Sequence, residues 1–106
     1  MDMNEYQKQA AKTAIYDPDH AGIYPVLGLA NEAGEVAGKL KKYMRDATDH
    51  ETLRDQIKKE LGDVLWYVAV AGRDFDLTLD EIAEANIGKL ADRQQRGVLG
   101  GSGDNR

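Results

Sequence analysis

The 106-residue chain is long enough for one domain with a core of its own. Its formal net charge of −5 argues against a general electrostatic grip on nucleic acid, and the absence of cysteine excludes disulfides, zinc–thiolate sites and thiol nucleophiles. No basic segment leads into an apolar stretch at the N-terminus, and no apolar run approaches the roughly 20 residues that span a bilayer. The expectation is a soluble cytoplasmic protein with no membrane partner.

The first helix is expected from about Asn4 to Tyr16. Asp17-Pro18-Asp19-His20-Ala21-Gly22 follows as a loop with turn chemistry. The second helix is expected to open near Pro25, a residue suited to a first helical turn. Leu29, Ala33, Val36, Leu40 and Tyr43 form its apolar stripe at intervals of three and four. Asp46-Ala47-Thr48-Asp49 interrupts it, and Asp49 or Thr48 can cap a third helix running from about His50 to Asp74. Leu53, Ile57, Leu61, Val64, Leu65 and Val68 give this helix one broad face, which Trp66, Ala69 and Val70 widen. Its second half therefore reads as buried nearly all round. Thr78-Leu79-Asp80-Glu81 has the capping-box pattern and opens a fourth helix, with Ile82, Ala83, Ile87, Leu90 and Ala91 as its stripe. Residues 1–97 read as the folded domain, and 98–106 as a flexible Gly-rich tail. No strand is visible. The fold class is all-α: an antiparallel bundle of about four helices, completed by oligomerisation, because the apolar faces are wide enough for more than one neighbour.

The chemistry concentrates in two acid pairs. Asp63 lies inside the apolar run from Leu61 to Ala71, where an unpartnered carboxylate is costly and calls for a partner or a metal. Glu60 precedes it by three residues, and Glu32 and Glu35 repeat that spacing on the second helix. Residues three apart lie about 60° apart around a helix axis, so each pair projects from one side. Antiparallel helices would turn the pairs toward each other as an oxygen-lined pocket. Four carboxylates with no nearby histidine or cysteine favour Mg²⁺, with Mn²⁺ also possible. Gly34, Gly38 and Gly62 stand beside these acids, each costing about 1 kcal/mol relative to alanine inside a helix. They point to a need for space, for close helix approach or for a ligand. Lys39 and Lys42 extend the Glu32/Glu35 face, placed either to touch phosphates or to pair with the acids. A buried salt bridge from Lys39, Lys58 or Lys59 is the structural competitor to a metal.

Asn31-Glu32-Ala33-Gly34-Glu35 followed by Lys59-Glu60-Leu61-Gly62-Asp63 resembles the EExxE…ExxD signature of the MazG-like nucleotide pyrophosphohydrolases, in the all-α NTP pyrophosphatase superfamily. The resemblance covers Tyr6 to Gly97. It implies that Glu32, Glu35, Glu60 and Asp63 hold magnesium. It also implies that a (d)NTP is cleaved between its α and β phosphates, giving the monophosphate and pyrophosphate. Glu32 or Glu35 is then the catalytic base. Asn31 departs from the family pattern, since an amide cannot replace the first glutamate as a base or charged ligand. Tyr67, Asn86, Lys89 and Arg93 resemble family positions near the substrate, and Lys39 is a further substrate-binding candidate from its place on the acid face. Trp66, Tyr24, Tyr16 and Phe75 are candidates to stack on a base, with core packing as the alternative. The implied role is nucleotide-pool housecleaning by a homodimer or homotetramer. The rival readings are phosphoribosyl-ATP pyrophosphohydrolase and a non-catalytic helical interaction module.

Overall fold

A computed structural model describes all 106 residues as four α-helices with no strand. Helix α1 spans Met3–Ala11, α2 Tyr24–Asp46, α3 His50–Asp74 and α4 Leu79–Arg96, with a short 3-10 turn at Pro18–His20. Each boundary has a local cause. Asp2 caps α1 by accepting from the Glu5 amide at 2.8 Å. Asp49 caps α3 by accepting from the Thr52 amide at 2.9 Å. Thr78 and Glu81 form the reciprocal capping box of α4. Ala47 ends α2 in the left-handed region with φ 52°, and Gly97 ends α4 there with φ 72°.

Helix α1 stops at Ala11, short of the expected Tyr16. The amides of Lys12, Thr13 and Ala14 bond to carbonyls three residues back, tightening the helix into a final turn. The Thr13 hydroxyl also donates to the Ala10 carbonyl at 2.7 Å. Beyond it the chain swings to Tyr16, whose hydroxyl donates to Asp74 at 2.5 Å. Asp74 also accepts from the Gly22 amide at 2.9 Å and from Arg73 at 3.0 Å. This knot ties the α1–α2 connection to the end of α3.

Helices α2 and α3 form a long antiparallel hairpin joined by three residues, and α1 packs across α3. The core is Ala10, Ala69, Val70 and Leu79, flanked by Tyr6, Ala14, Tyr16, Trp66, Val68 and Ile82. Buried Gln7 joins α1, α3 and α4. Its amide nitrogen donates to the Ala69 and Leu77 carbonyls at 2.9 and 3.0 Å, and its oxygen accepts from the Leu79 amide at 3.2 Å.

Two burial expectations are corrected. Asp63 is exposed, as are Leu61 and Gly62, because the second half of α3 turns only part of its circumference toward α1 and α2. Helix α4 keeps contact with the body through its first turn, whereas every residue from Ala83 to Asp92 is exposed. Its stripe residues Ile87 and Leu90 remain 65% and 39% exposed. Only 9 of 106 residues are buried, so much of the apolar surface that the sequence prepares for packing remains open. No helix is long and apolar enough to cross a membrane.

Candidate metal centre

The antiparallel crossing of α2 and α3 brings Glu32 against Glu60 and Asp63. One carboxylate oxygen from each lies within 4.8 Å of the others. Burial raises the Glu32 pKa above the usual carboxylate range, helped by the charges of Asp63 and Glu60, hydrogen bonding with Glu60, and the charge of Glu35. Glu35 belongs to the same electrostatic field but stands outside the three-oxygen group. Lys39 approaches Glu60 at 3.9 Å, the outer limit of an ion pair, and neither Lys58 nor Lys59 pairs with the cluster. Lys39 therefore partly offsets Glu60, while Glu32 and Asp63 have no lysine partner. Three converging carboxylates facing a single lysine keep an excess of like charge, the electrostatic condition that a divalent cation relieves.

Glu32 and Asp63 open into a depression of about 390 Å³, whose other walls are Thr13, Trp66 and Tyr67. Thr13 was not singled out from the sequence. Its hydroxyl accepts from the Trp66 indole nitrogen at 2.8 Å and so fixes the ring. Trp66 meets Tyr67 edge to face with centroids 4.9 Å apart, and Tyr16 stacks on Tyr24 at 4.7 Å. Burial pushes the Tyr67 hydroxyl up, followed by the neighbouring Tyr24 and the charges of Glu32 and Asp63. Phe75 lies instead beside Gly22, at the C-terminal end of α3.

The glycines divide into two groups. A β-carbon at Gly34, Gly38 or Gly62 would meet nothing within 4 Å, so none of the three permits close helix approach within the chain. The close approach is at Gly28, where a β-carbon would overlap the Tyr67 ring. Gly28 lies one turn before Glu32 and Tyr67 one turn after Asp63, so this contact sets the helix separation beside the acids. Only the fold identifies Gly28, because its partner is 39 residues away in sequence.

Asn86, Lys89 and Arg93 share one side of α4, away from the depression that Glu32 and Asp63 line. Asn86 and Lys89 border a groove with Leu77, Glu81, Ile82 and Ala85. Lys89 and Arg93 both contact Asp104 of the tail, at 3.1 and 3.2 Å. The chain by itself thus brings together three of the four predicted metal ligands and Tyr67, and keeps the α4 cations apart from them.

The donor set is all oxygen and all carboxylate, which fits a hard cation such as Mg²⁺ or Mn²⁺. An all-helical hairpin carrying this cluster on facing helices defines an α-domain with an acidic cluster that could hold a metal. Residues 25–98 match the MazG nucleotide pyrophosphohydrolase domain, and the chain belongs to that family. Over 114 aligned positions covering all of both chains, it is 43% identical to the Gene 37 protein of Mycobacterium phage L5. No solved structure matches it.

Proposed function

We propose that the chain is a magnesium-dependent (d)NTP pyrophosphohydrolase that releases the monophosphate and pyrophosphate, serving housecleaning of the cytoplasmic nucleotide pool. The observation that carries this reading is the convergence of Glu32, Glu60 and Asp63 beside an aromatic depression, within a MazG domain. These three carboxylates hold the cation, which when bound supplies charge neutralisation at the phosphates and acidifies water. Glu35, one turn from Glu32 and outside the three-oxygen group, is left to accept the proton of the attacking water. Trp66, held by Thr13, offers a fixed apolar face for the nucleobase, and Tyr67 borders the route from base to phosphate. Lys39, already at the edge of the cluster, contributes positive charge toward the phosphates.

The α4 residues Asn86, Lys89 and Arg93 join this reading through a second copy of the chain. Leu27, Leu40, Met44, Leu61, Ile87 and Leu90 are all at least 39% exposed, more apolar surface than an isolated small domain ordinarily leaves bare. Association as a homodimer or homotetramer covers these faces and lays the basic arm of one copy toward the acids of another. Light scattering of the purified chain tests the assembly. Asp63→Asn and Glu60→Gln test the centre: both variants lose magnesium-dependent turnover across a (d)NTP panel that includes phosphoribosyl-ATP. Retained turnover in both would remove the metal role, and turnover of phosphoribosyl-ATP alone would reassign the substrate.

A further inference from the structure

Residues 98–106 turn back along α4 after Gly97 instead of leaving it. Gly101 and Gly103 adopt φ of 86° and 81°, conformations that side-chain-bearing residues rarely take. Arg106 closes the bend by donating to the carbonyls of Val98 at 3.1 Å, Leu99 at 3.3 Å and Gly103 at 2.5 Å. Arg96 in turn donates to the Arg106 carbonyl at 2.6 Å. The clasp delivers one carboxylate to α4. Asp104 Oδ1 accepts from Lys89 Nζ at 3.1 Å and from Arg93 Nη2 at 3.2 Å, while Arg93 also donates to the Gly103 carbonyl at 3.4 Å. Arg93 is only 5% exposed, although the middle of the helix that carries it projects into solvent. The tail provides its hydrogen-bonding partners.

We propose that this tail is an autoinhibitory strap, in which Asp104 occupies the two-cation seat of the substrate's pyrophosphate moiety until polyphosphate displaces it. The inference rests on the reading of Lys89 and Arg93 as phosphate contacts. A carboxylate oxygen and a phosphate oxygen satisfy lysine and arginine in the same way, through charge-assisted hydrogen bonds that are strongest near 2.7–2.9 Å. The Asp104 contacts are longer than that, and its side chain is 81% exposed, so water and salt screen them. Pyrophosphate brings more charge and more acceptors to the same donors. Release also returns conformational freedom to a segment containing Gly100, Gly101 and Gly103. A strap that is closed for part of the time reduces apparent affinity by the fraction of molecules left open.

The test is calorimetric titration of inorganic pyrophosphate, without divalent metal, into the full chain, Asp104→Asn, and the double variant Lys89→Gln/Arg93→Gln. Hydrogen exchange over 98–105 is followed in parallel. The strap predicts that Asp104→Asn binds pyrophosphate about tenfold more tightly, as loss of two screened ion pairs allows. It also predicts faster exchange of the tail when pyrophosphate binds the unaltered chain, and weak binding by the double variant. Equal or weaker binding by Asp104→Asn, or tail protection by pyrophosphate, overturns the strap. A double variant that keeps full pyrophosphate affinity overturns the phosphate reading of Lys89 and Arg93 beneath it, and the strap with it. The titration needs no turnover, so loss of catalysis does not obscure either result.

Discussion

Replacing Gly28 by alanine should damage the metal centre without touching a ligand. The new β-carbon falls inside the van der Waals envelope of the Tyr67 ring, which is itself held against Trp66 and Tyr24. Carbon atoms settle at about 3.5–4.0 Å, so α2 and α3 must separate by on the order of 1 Å at this level. Such overpacking costs about 1–3 kcal/mol, offset by the ~1 kcal/mol that alanine contributes to a helix over glycine. The net loss, about 1 kcal/mol, lowers Tm by roughly 4–8 °C. The larger effect is on the ion. Glu32 stands on one helix and Glu60 and Asp63 on the other, and magnesium tolerates little departure from its preferred ligand distances. Magnesium affinity measured by calorimetry should fall about tenfold, equivalent to ~1.4 kcal/mol. Adding Tyr67→Ala to Gly28→Ala removes the overlap and should recover part of that loss, a coupling that a double-mutant cycle reads directly. Unchanged magnesium affinity in Gly28→Ala would refute the idea that this contact sets the spacing of the centre.

The remaining predictions concern charge. Because the Glu32 carboxyl titrates above its usual range, its ionisation opposes folding. The penalty is absent at low pH and grows as pH rises through the raised pKa. The metal-free chain should therefore lose Tm over that interval, and Glu32→Gln should flatten the slope while abolishing stabilisation by magnesium. A steeper slope in the variant would contradict this assignment. Asp74 behaves oppositely. Burial pushes its pKa up, but the hydrogen bonds from Tyr16, Gly22 and Arg73, with the Arg73 charge, hold it below the usual range. Its contribution is complete above the ordinary aspartate value of about 3.9 and disappears as pH falls through the lower folded value. Asp74→Asn should cost about 2 kcal/mol at neutral pH and remove that acid-sensitive step, as denaturant titration at several pH values would measure.

Local chemistry made much of this fold legible in the sequence. The capping residues Asp49 and Thr78, the placement of Pro25 in a first turn, and the three-residue spacing of the acid pairs each depend on neighbours within one turn. What escaped depends on distant partners. Helix α1 ends early because Thr13 turns back to Ala10 and Tyr16 is drawn to Asp74, 58 residues away. The apolar run around Asp63 suggested a buried charge, yet an apolar neighbourhood in sequence does not say which side of a helix is covered, and Asp63 opens into the depression. The glycines near the acids were legible as a group, whereas Gly28, whose close contact lies beside the acids, is defined by a ring on another helix. Lys89 and Arg93 were legible as cations on one face, but their partner Asp104 lies in a tail whose glycines gave no hint of a return path.

The most direct measurement is product analysis of a (d)NTP turned over by the full chain, resolving monophosphate, diphosphate, pyrophosphate and phosphate. The account predicts monophosphate and pyrophosphate in equal amounts with magnesium, and neither product with chelator or in Asp63→Asn. Diphosphate with inorganic phosphate, or undiminished cleavage by Asp63→Asn, would contradict it.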